Sequence, residues 1–124
     1  MIRTALLAIA ILAAPLTANA QYIDAISTKL IGECTLDQYL AVVEEFRGVM
    51  KSEGYTYTVE IAQPLTGELG ILWWVGRTPD LETYGQGYTR WEAALAKPGT
   101  PEAKVSAKLG ACAENQTRQG SLVR

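Results

Sequence analysis

The segment at residues 70–77, Gly-Ile-Leu-Trp-Trp-Val-Gly-Arg, limits the possible folds of this chain more than any other feature. In a β-strand, successive side chains point to opposite faces of the sheet. The apolar residues of this segment divide accordingly into two groups: Ile71, Trp73 and Val75 against Leu72 and Trp74. Because both faces are apolar, both should be covered. A layer of helices can cover one face, and a second copy of the same sheet is the simplest cover for the other.

The first twenty residues have the pattern of a signal peptide. Arg3 supplies a positive start, residues 5–14 form a ten-residue apolar run, and Ala18-Asn19-Ala20 ends in the small-x-small pattern that signal peptidase recognises. A membrane anchor is the less favoured interpretation, since a spanning helix needs roughly 20 apolar residues. We expect residues 1–20 to be removed, leaving an exported protein, periplasmic or secreted, with no membrane span and a single domain over residues 21–124.

The composition excludes several classes of function. The chain has 11 Lys and Arg against 13 Asp and Glu, a net charge of −2, and these charges are scattered rather than gathered in a basic stripe. Nucleic acid and anionic membrane surfaces are therefore not expected as partners. The chain has no histidine, which removes the usual general base near neutral pH, most zinc sites and a proximal haem ligand. We expect no metal and no cofactor.

The periodicity of apolar residues predicts four strands and three helices. The strands are expected at residues 22–31, 55–62, 70–77 and 116–124, and the helices at residues 36–52, 78–96 and 100–114. This order is the split β-α-β double unit with an extra helix before the last main helix. The expected fold class is α+β: a ferredoxin-like βαββαβ domain with a four-stranded antiparallel sheet. Its third strand should lie between the first two, with both main helices on one face.

Capping residues set the expected helix boundaries. Thr35 and Gln38 form a capping box for the first helix, whose apolar stripe should face the core: Leu36, Leu40, Val43, Phe46 and Met50. Thr78 is the expected cap of the second helix, with Pro79 in its first position.

The two cysteines lie at helix ends. Cys34 precedes the first helix and Cys112 lies near the end of the last. In the split β-α-β arrangement these helices are antiparallel, so the start of one lies beside the end of the other. Because two cysteines in an exported chain are expected to be oxidised where geometry allows, we predict an intramolecular disulfide. Buried thiols and an intermolecular bridge are the alternatives.

Aromatic residues supply the candidate binding surface. Tyrosine and tryptophan combine an apolar body with a polar tip, which suits ligand pockets and subunit contacts. An aromatic stripe at helical spacing is more often part of a core, but Gly85 and Gly87 in the same helix favour a lid or a close-packed interface. No residue is assigned as catalytic, and the candidate ligand-binding residues are Trp73, Trp74, Tyr84, Tyr88 and Trp91.

The order of elements, with the doubly apolar strand at residues 69–75, resembles the dimeric α/β-barrel superfamily, whose ferredoxin-like subunits pair their open sheet faces. The pair of Cys34 and Cys112 is similar to a feature of small exported members of uncertain function. The resemblance implies a homodimer. The superfamily includes cofactor-independent monooxygenases of aromatic polyketides, isomerase-like enzymes and haem-binding proteins, and the haem branch depends on a histidine that this chain lacks.

Three hypotheses of function follow. The leading one is a non-catalytic, exported homodimer that binds a small apolar or aromatic ligand. The second is a cofactor-independent monooxygenase- or isomerase-like enzyme on the same fold, in which Trp74, Tyr88 or Trp91 positions a substrate between sheet and helices. The third is an inhibitor or interaction partner of another envelope protein.

Overall fold

The computed structural model describes residues 20–124, which contain four strands and three helices. In chain order they are β1 (Gln21–Leu30), α1 (Leu36–Ser52), β2 (Thr58–Ala62), β3 (Leu72–Thr78), α2 (Leu81–Leu95), α3 (Pro101–Cys112) and β4 (Ala113–Val123). The predicted signal peptide lies outside the described residues except for Ala20. Within residues 20–124, no helix is long and apolar enough to cross a membrane.

The strands form one antiparallel sheet in the order β2-β3-β1-β4. Since β1 and β2 both run antiparallel to β3, they are parallel to each other and need a crossover connection, which α1 supplies. This strand order and these connections are those of the ferredoxin-like fold, with α2 as the extra helix. The predicted fold class is therefore confirmed, including the position of β3 between β1 and β2 and of β4 at an edge.

Helix α1 has the predicted bounds and the predicted cap. The Gln38 amide donates to the Thr35 hydroxyl at 3.2 Å, and the Thr35 amide donates to the Gln38 side chain at 2.9 Å. The predicted core stripe is correct at Val43, Phe46 and Met50, which are buried. It needs one correction, because Tyr39 is buried and Leu40 is exposed. Tyr39 lies four residues before Val43, so it occupies the centre of the stripe and Leu40 its margin.

The predicted cap of α2 at Thr78 is wrong. Thr78 pairs with Tyr22 as the last residue of β3, so the strand continues past the expected boundary. Asp80 caps α2 instead, and its carboxylate accepts a hydrogen bond from the Thr83 amide at 2.7 Å. Pro79 consequently precedes the cap rather than occupying the first helical position. A proline at this point ends the strand because it lacks the amide proton of a sheet residue.

Two strands begin three residues away from the predicted start. The second strand begins at Thr58 rather than at residue 55, because the Tyr55 amide donates to the Met50 carbonyl at 2.8 Å and so closes the end of α1. The last strand follows α3 directly at Ala113, which pairs with Leu30. It is therefore longer than the predicted strand.

A disulfide joins Cys34 to Cys112, as predicted, across 78 positions of the chain. Their Cα atoms lie 5.2 Å apart, within the usual range for a disulfide. The bond ties Cys34, which precedes the capping residue of α1, to the last residue of α3. These two helices pack side by side on the same face of the sheet.

The two faces of β3 have different surroundings. Leu72 and Trp74 are buried beneath the helices. Trp73 points to the opposite face and is 37% exposed. Three residues lie beside it on that face and are half-buried in the single chain: Ile23, Ala25 and Val75. We call these three residues and Trp73 the open face.

Candidate ligand-binding site

A cavity of about 600 Å³ lies between the helix-facing side of the sheet and the helices. Residues from β1, β3 and β4 form its floor, and residues from α1, α2 and α3 form its walls. Much of the lining is aromatic: Tyr39, Phe46, Tyr55, Trp74, Tyr88 and Trp91. Helix α2 contributes no fully buried residue, so it covers one side of the cavity without being part of the core.

The structure places four of the five predicted ligand-binding residues together. Trp74, Tyr84, Tyr88 and Trp91 all line the cavity, whereas Trp73 lies on the open face. That these residues bind a ligand stays a prediction. Of the two glycines that suggested a lid, Gly87 lines the cavity and Gly85 does not.

The aromatic rings of the cavity pack against one another in fixed orientations. The ring of Phe46 meets Trp74 at a centroid distance of 4.8 Å and Trp91 at 5.6 Å, both edge to face. Tyr84 and Tyr88, one turn apart on α2, are stacked at 6.0 Å. These arrangements are favourable for aromatic pairs, and they hold the walls of the cavity in place.

The floor of the cavity holds an ion pair that the sequence analysis did not identify. Arg118 of β4 donates from Nε to Asp24 Oδ1 at 2.9 Å and from Nη2 to Asp24 Oδ2 at 2.8 Å. The pair is asymmetric, since the Asp24 side chain is 1% exposed and that of Arg118 is 46% exposed. A carboxylate between the apolar residues Ile23 and Ala25 was the available signal, because a buried charge requires a partner.

Tyrosine and tryptophan side chains extend the ion pair into a network. The Tyr57 hydroxyl donates to Asp24 Oδ2 at 3.1 Å and accepts from Trp74 Nε1 at 2.7 Å. Arg118 Nη2 also donates to the Tyr84 hydroxyl at 2.6 Å. Gly76 makes room for this arrangement, because a Cβ atom at that position would overlap the Tyr57 ring. Both oxygens of Asp24 are thus engaged.

The network keeps its tyrosines neutral and its arginine charged. Burial, reinforced by the Asp24 charge, raises the pKa of Tyr84 to about 12 and also raises the pKa of Tyr57. The hydrogen bonds from Arg118 to Asp24 raise the pKa of Arg118. Elsewhere in the lining, burial and the hydrogen bond to Glu102 raise the pKa of Tyr55 to about 12. Near neutral pH these four groups therefore act as fixed donors and do not accept protons.

These raised pKa values predict a loss of stability in alkali. The folded protein keeps Tyr55 and Tyr84 neutral up to about pH 12, whereas an unfolded tyrosine ionises near pH 10. The stabilisation is complete below about pH 10 and is lost as the pH rises towards 12. We expect the free energy of unfolding, measured with denaturant, to fall across this interval, and to fall less in Tyr84→Phe. A value that does not change between these pH values would contradict the assignment.

No family model matches this chain, and a comparison with curated proteins finds no match. The solved structures that are similar to it include the following two. One is a dimeric protein of unknown function and ferredoxin-like fold from Bacteroides fragilis NCTC 9343; it is 11% identical, with a TM-score of 0.45 over 82% of this chain and 92% of that one. The other is a conserved protein from Methanosarcina mazei Go1, 8% identical, with a TM-score of 0.48 over 86% of this chain and 94% of that one. The assignment of this chain to the ferredoxin-like fold rests on its own strand order and connections.

Proposed function

We propose that this protein is an exported homodimer that binds a small aromatic ligand in the cavity between its sheet and its helices, without catalysing a reaction. The observation that carries the proposal is the cavity itself, which measures about 600 Å³ and combines eight aromatic residues with polar side chains, several of them held in place by the hydrogen-bond network on its floor. Binding sites for small molecules have this size and this combination of lining residues.

The polar network favours binding over the enzymatic alternative. A general base must have a free acceptor within reach of its substrate and a pKa suited to the working pH. The oxygens of Asp24 already accept hydrogen bonds from Arg118 and Tyr57. The tyrosines of the network hold their protons well above neutral pH. These groups are suited to orienting a ligand rather than to moving a proton.

Two glycines of α2 provide a matched test of ligand binding. A Cβ atom added at Gly87 would lie 3.9 Å from the ring of Tyr55, inside the cavity, whereas one added at Gly85 meets nothing within 4 Å and lies outside it. Leucine at either position improves helix propensity equally. We expect calorimetry with 2-naphthol to show binding to the wild type and to Gly85→Leu, and at least tenfold weaker binding to Gly87→Leu. Equal affinity of the two variants would contradict the proposal.

The open face supports the homodimer. Its apolar side chains lie on the two central strands, and polar residues such as Glu60 and Gln119 surround them. An apolar patch with a polar rim is typical of a protein interface. A second copy of this chain presents the same patch and so can cover it symmetrically.

Light scattering tests the homodimer. We expect the wild type to be dimeric and Trp73→Glu to be monomeric, because a charge at the centre of the interface would be buried without a partner. Leu65→Glu is the matched control: Leu65 is 88% exposed in the loop between β2 and β3, so this variant should remain dimeric. A wild-type protein that stays monomeric when concentrated would contradict the proposal.

A further inference from the structure

We propose that the ligand of the cavity carries a carboxylate, and that this carboxylate binds the free edge of the Arg118 guanidinium. The inference rests on the proposed function and names the chemical class of the ligand. It follows from the way in which Arg118 is shared between the protein and the cavity.

Arg118 uses only part of its hydrogen-bonding capacity within the protein. Nε and Nη2 donate to Asp24, and Nη2 also donates to Tyr84. Nη1, which carries two protons, has no partner among the described residues. Both residues line the cavity, but the arginine side chain is 46% exposed and that of Asp24 only 1%. A ligand in the cavity therefore meets mainly the guanidinium.

The guanidinium is held in position before any ligand arrives. Asp24 holds it from below, Tyr84 accepts one of its hydrogen bonds, and its Cζ atom lies 5.5 Å from the centre of the Tyr88 ring. An arginine already ordered in this way loses little side-chain entropy on binding. Arginine also stays charged at any working pH, and a carboxylate would accept a charge-assisted hydrogen bond from it.

The other two charged residues of the cavity, Arg90 and Glu92, have opposite signs and balance each other. Its charged lining residues are Asp24, Arg90, Glu92 and Arg118. Arg90 adds a second cation: its guanidinium lies 4.3 Å from the centre of the Tyr55 ring and it donates to the Glu53 carbonyl. Because these four charges balance, the preference for a carboxylate comes from the free Nη1 group of Arg118. An aromatic carboxylate can direct its oxygens to that group while its ring lies against the aromatic walls.

A matched pair of probes tests the inference: 2-naphthoate and its neutral analogue 2-naphthamide. We expect calorimetry to show at least tenfold tighter binding of the naphthoate to the wild type, and a preference that weakens as salt is added. Arg118→Gln should abolish the preference. Arg124→Gln should keep it, because Arg124 follows the end of β4 and does not line the cavity.

A second variant guards against misfolding. Arg118→Gln leaves Asp24 buried without its cation, whereas Asp24→Asn/Arg118→Gln removes both charges and should fold. A naphthoate preference that persists in this double variant would overturn the inference. Equal binding of the two probes to the wild type would also overturn it while leaving the proposed function intact. If neither probe nor 2-naphthol binds, the proposed function itself is contradicted.

Discussion

Replacing Arg118 by leucine should lower the free energy of unfolding by about 3 kcal/mol, and adding Asp24→Asn should restore most of the loss. The reason is the burial of Asp24, which is 1% exposed. Without the arginine, its carboxylate keeps the Tyr57 hydroxyl as its one donor among residues 20–124. The expected loss is at the low end for a buried pair, since Arg118 is half-exposed and water can partly replace it.

Chemical denaturation of the wild type, the two single variants and the double variant measures this coupling directly. The surface pair of Lys108 and Glu45 is the control. Its charged atoms are 2.8 Å apart, but both side chains are at least half-exposed, so its coupling should be below about 1 kcal/mol. If both pairs give the same coupling energy, Arg118 is not the essential partner of a buried charge.

Removing the disulfide should have the largest effect on stability. The bond closes a segment with a sequence separation of 78 residues, for which the chain-entropy model gives about 4.5 kcal/mol, within the range of about 2–5 kcal/mol seen on removing native disulfides. For a domain of this length, each kcal/mol corresponds to roughly 4–8 °C in Tm. Cys34→Ser/Cys112→Ser should therefore melt at least about 10 °C below the wild type.

Calorimetric melting with and without a reductant provides the control for this variant. The reductant should lower the Tm of the wild type and leave that of Cys34→Ser/Cys112→Ser unchanged. If the double variant melts at the wild-type temperature, the link between α1 and α3 does not contribute to stability in the way described.

The sequence was sufficient to predict the features that depend on local patterns. The strict alternation in β3 separates Trp73 from Trp74 by the pleat alone, although only the packed structure shows which face the helices cover. The Thr35 capping box sets the start of α1 through contacts between residues three positions apart. The disulfide followed from topology, because antiparallel helices bring the start of one to the end of the other.

The ion pair on the cavity floor could not be predicted in the same way. Asp24 and Arg118 are 94 positions apart, and their contact depends on the register of β1 against β4, which shifts between Ser27 and Thr28. A shift of one residue would turn Arg118 to the opposite face of the sheet. A single sequence carries no signal for that register.

The prediction of the capping residue of α2 failed for a related reason. Asp80 is the slightly better capping residue by type, but Pro79 suits the first helical position after a cap at Thr78, so local sequence does not decide between them. The pairing of Thr78 with Tyr22 extends β3 and leaves Asp80 as the cap. Tertiary pairing thus decides between two local alternatives of similar quality.

The central claim, that the aromatic cavity is a ligand-binding site, is tested most directly by NMR of the three tryptophan indole N–H groups. Trp74 and Trp91 line the cavity and Trp73 lies on the opposite face of the sheet, so the protein carries its own control. On titration with 2-naphthoate, the signals of Trp74 and Trp91 should shift and saturate while that of Trp73 stays in place. If all three signals stay unchanged at saturating concentration, or only that of Trp73 moves, the cavity is not the binding site.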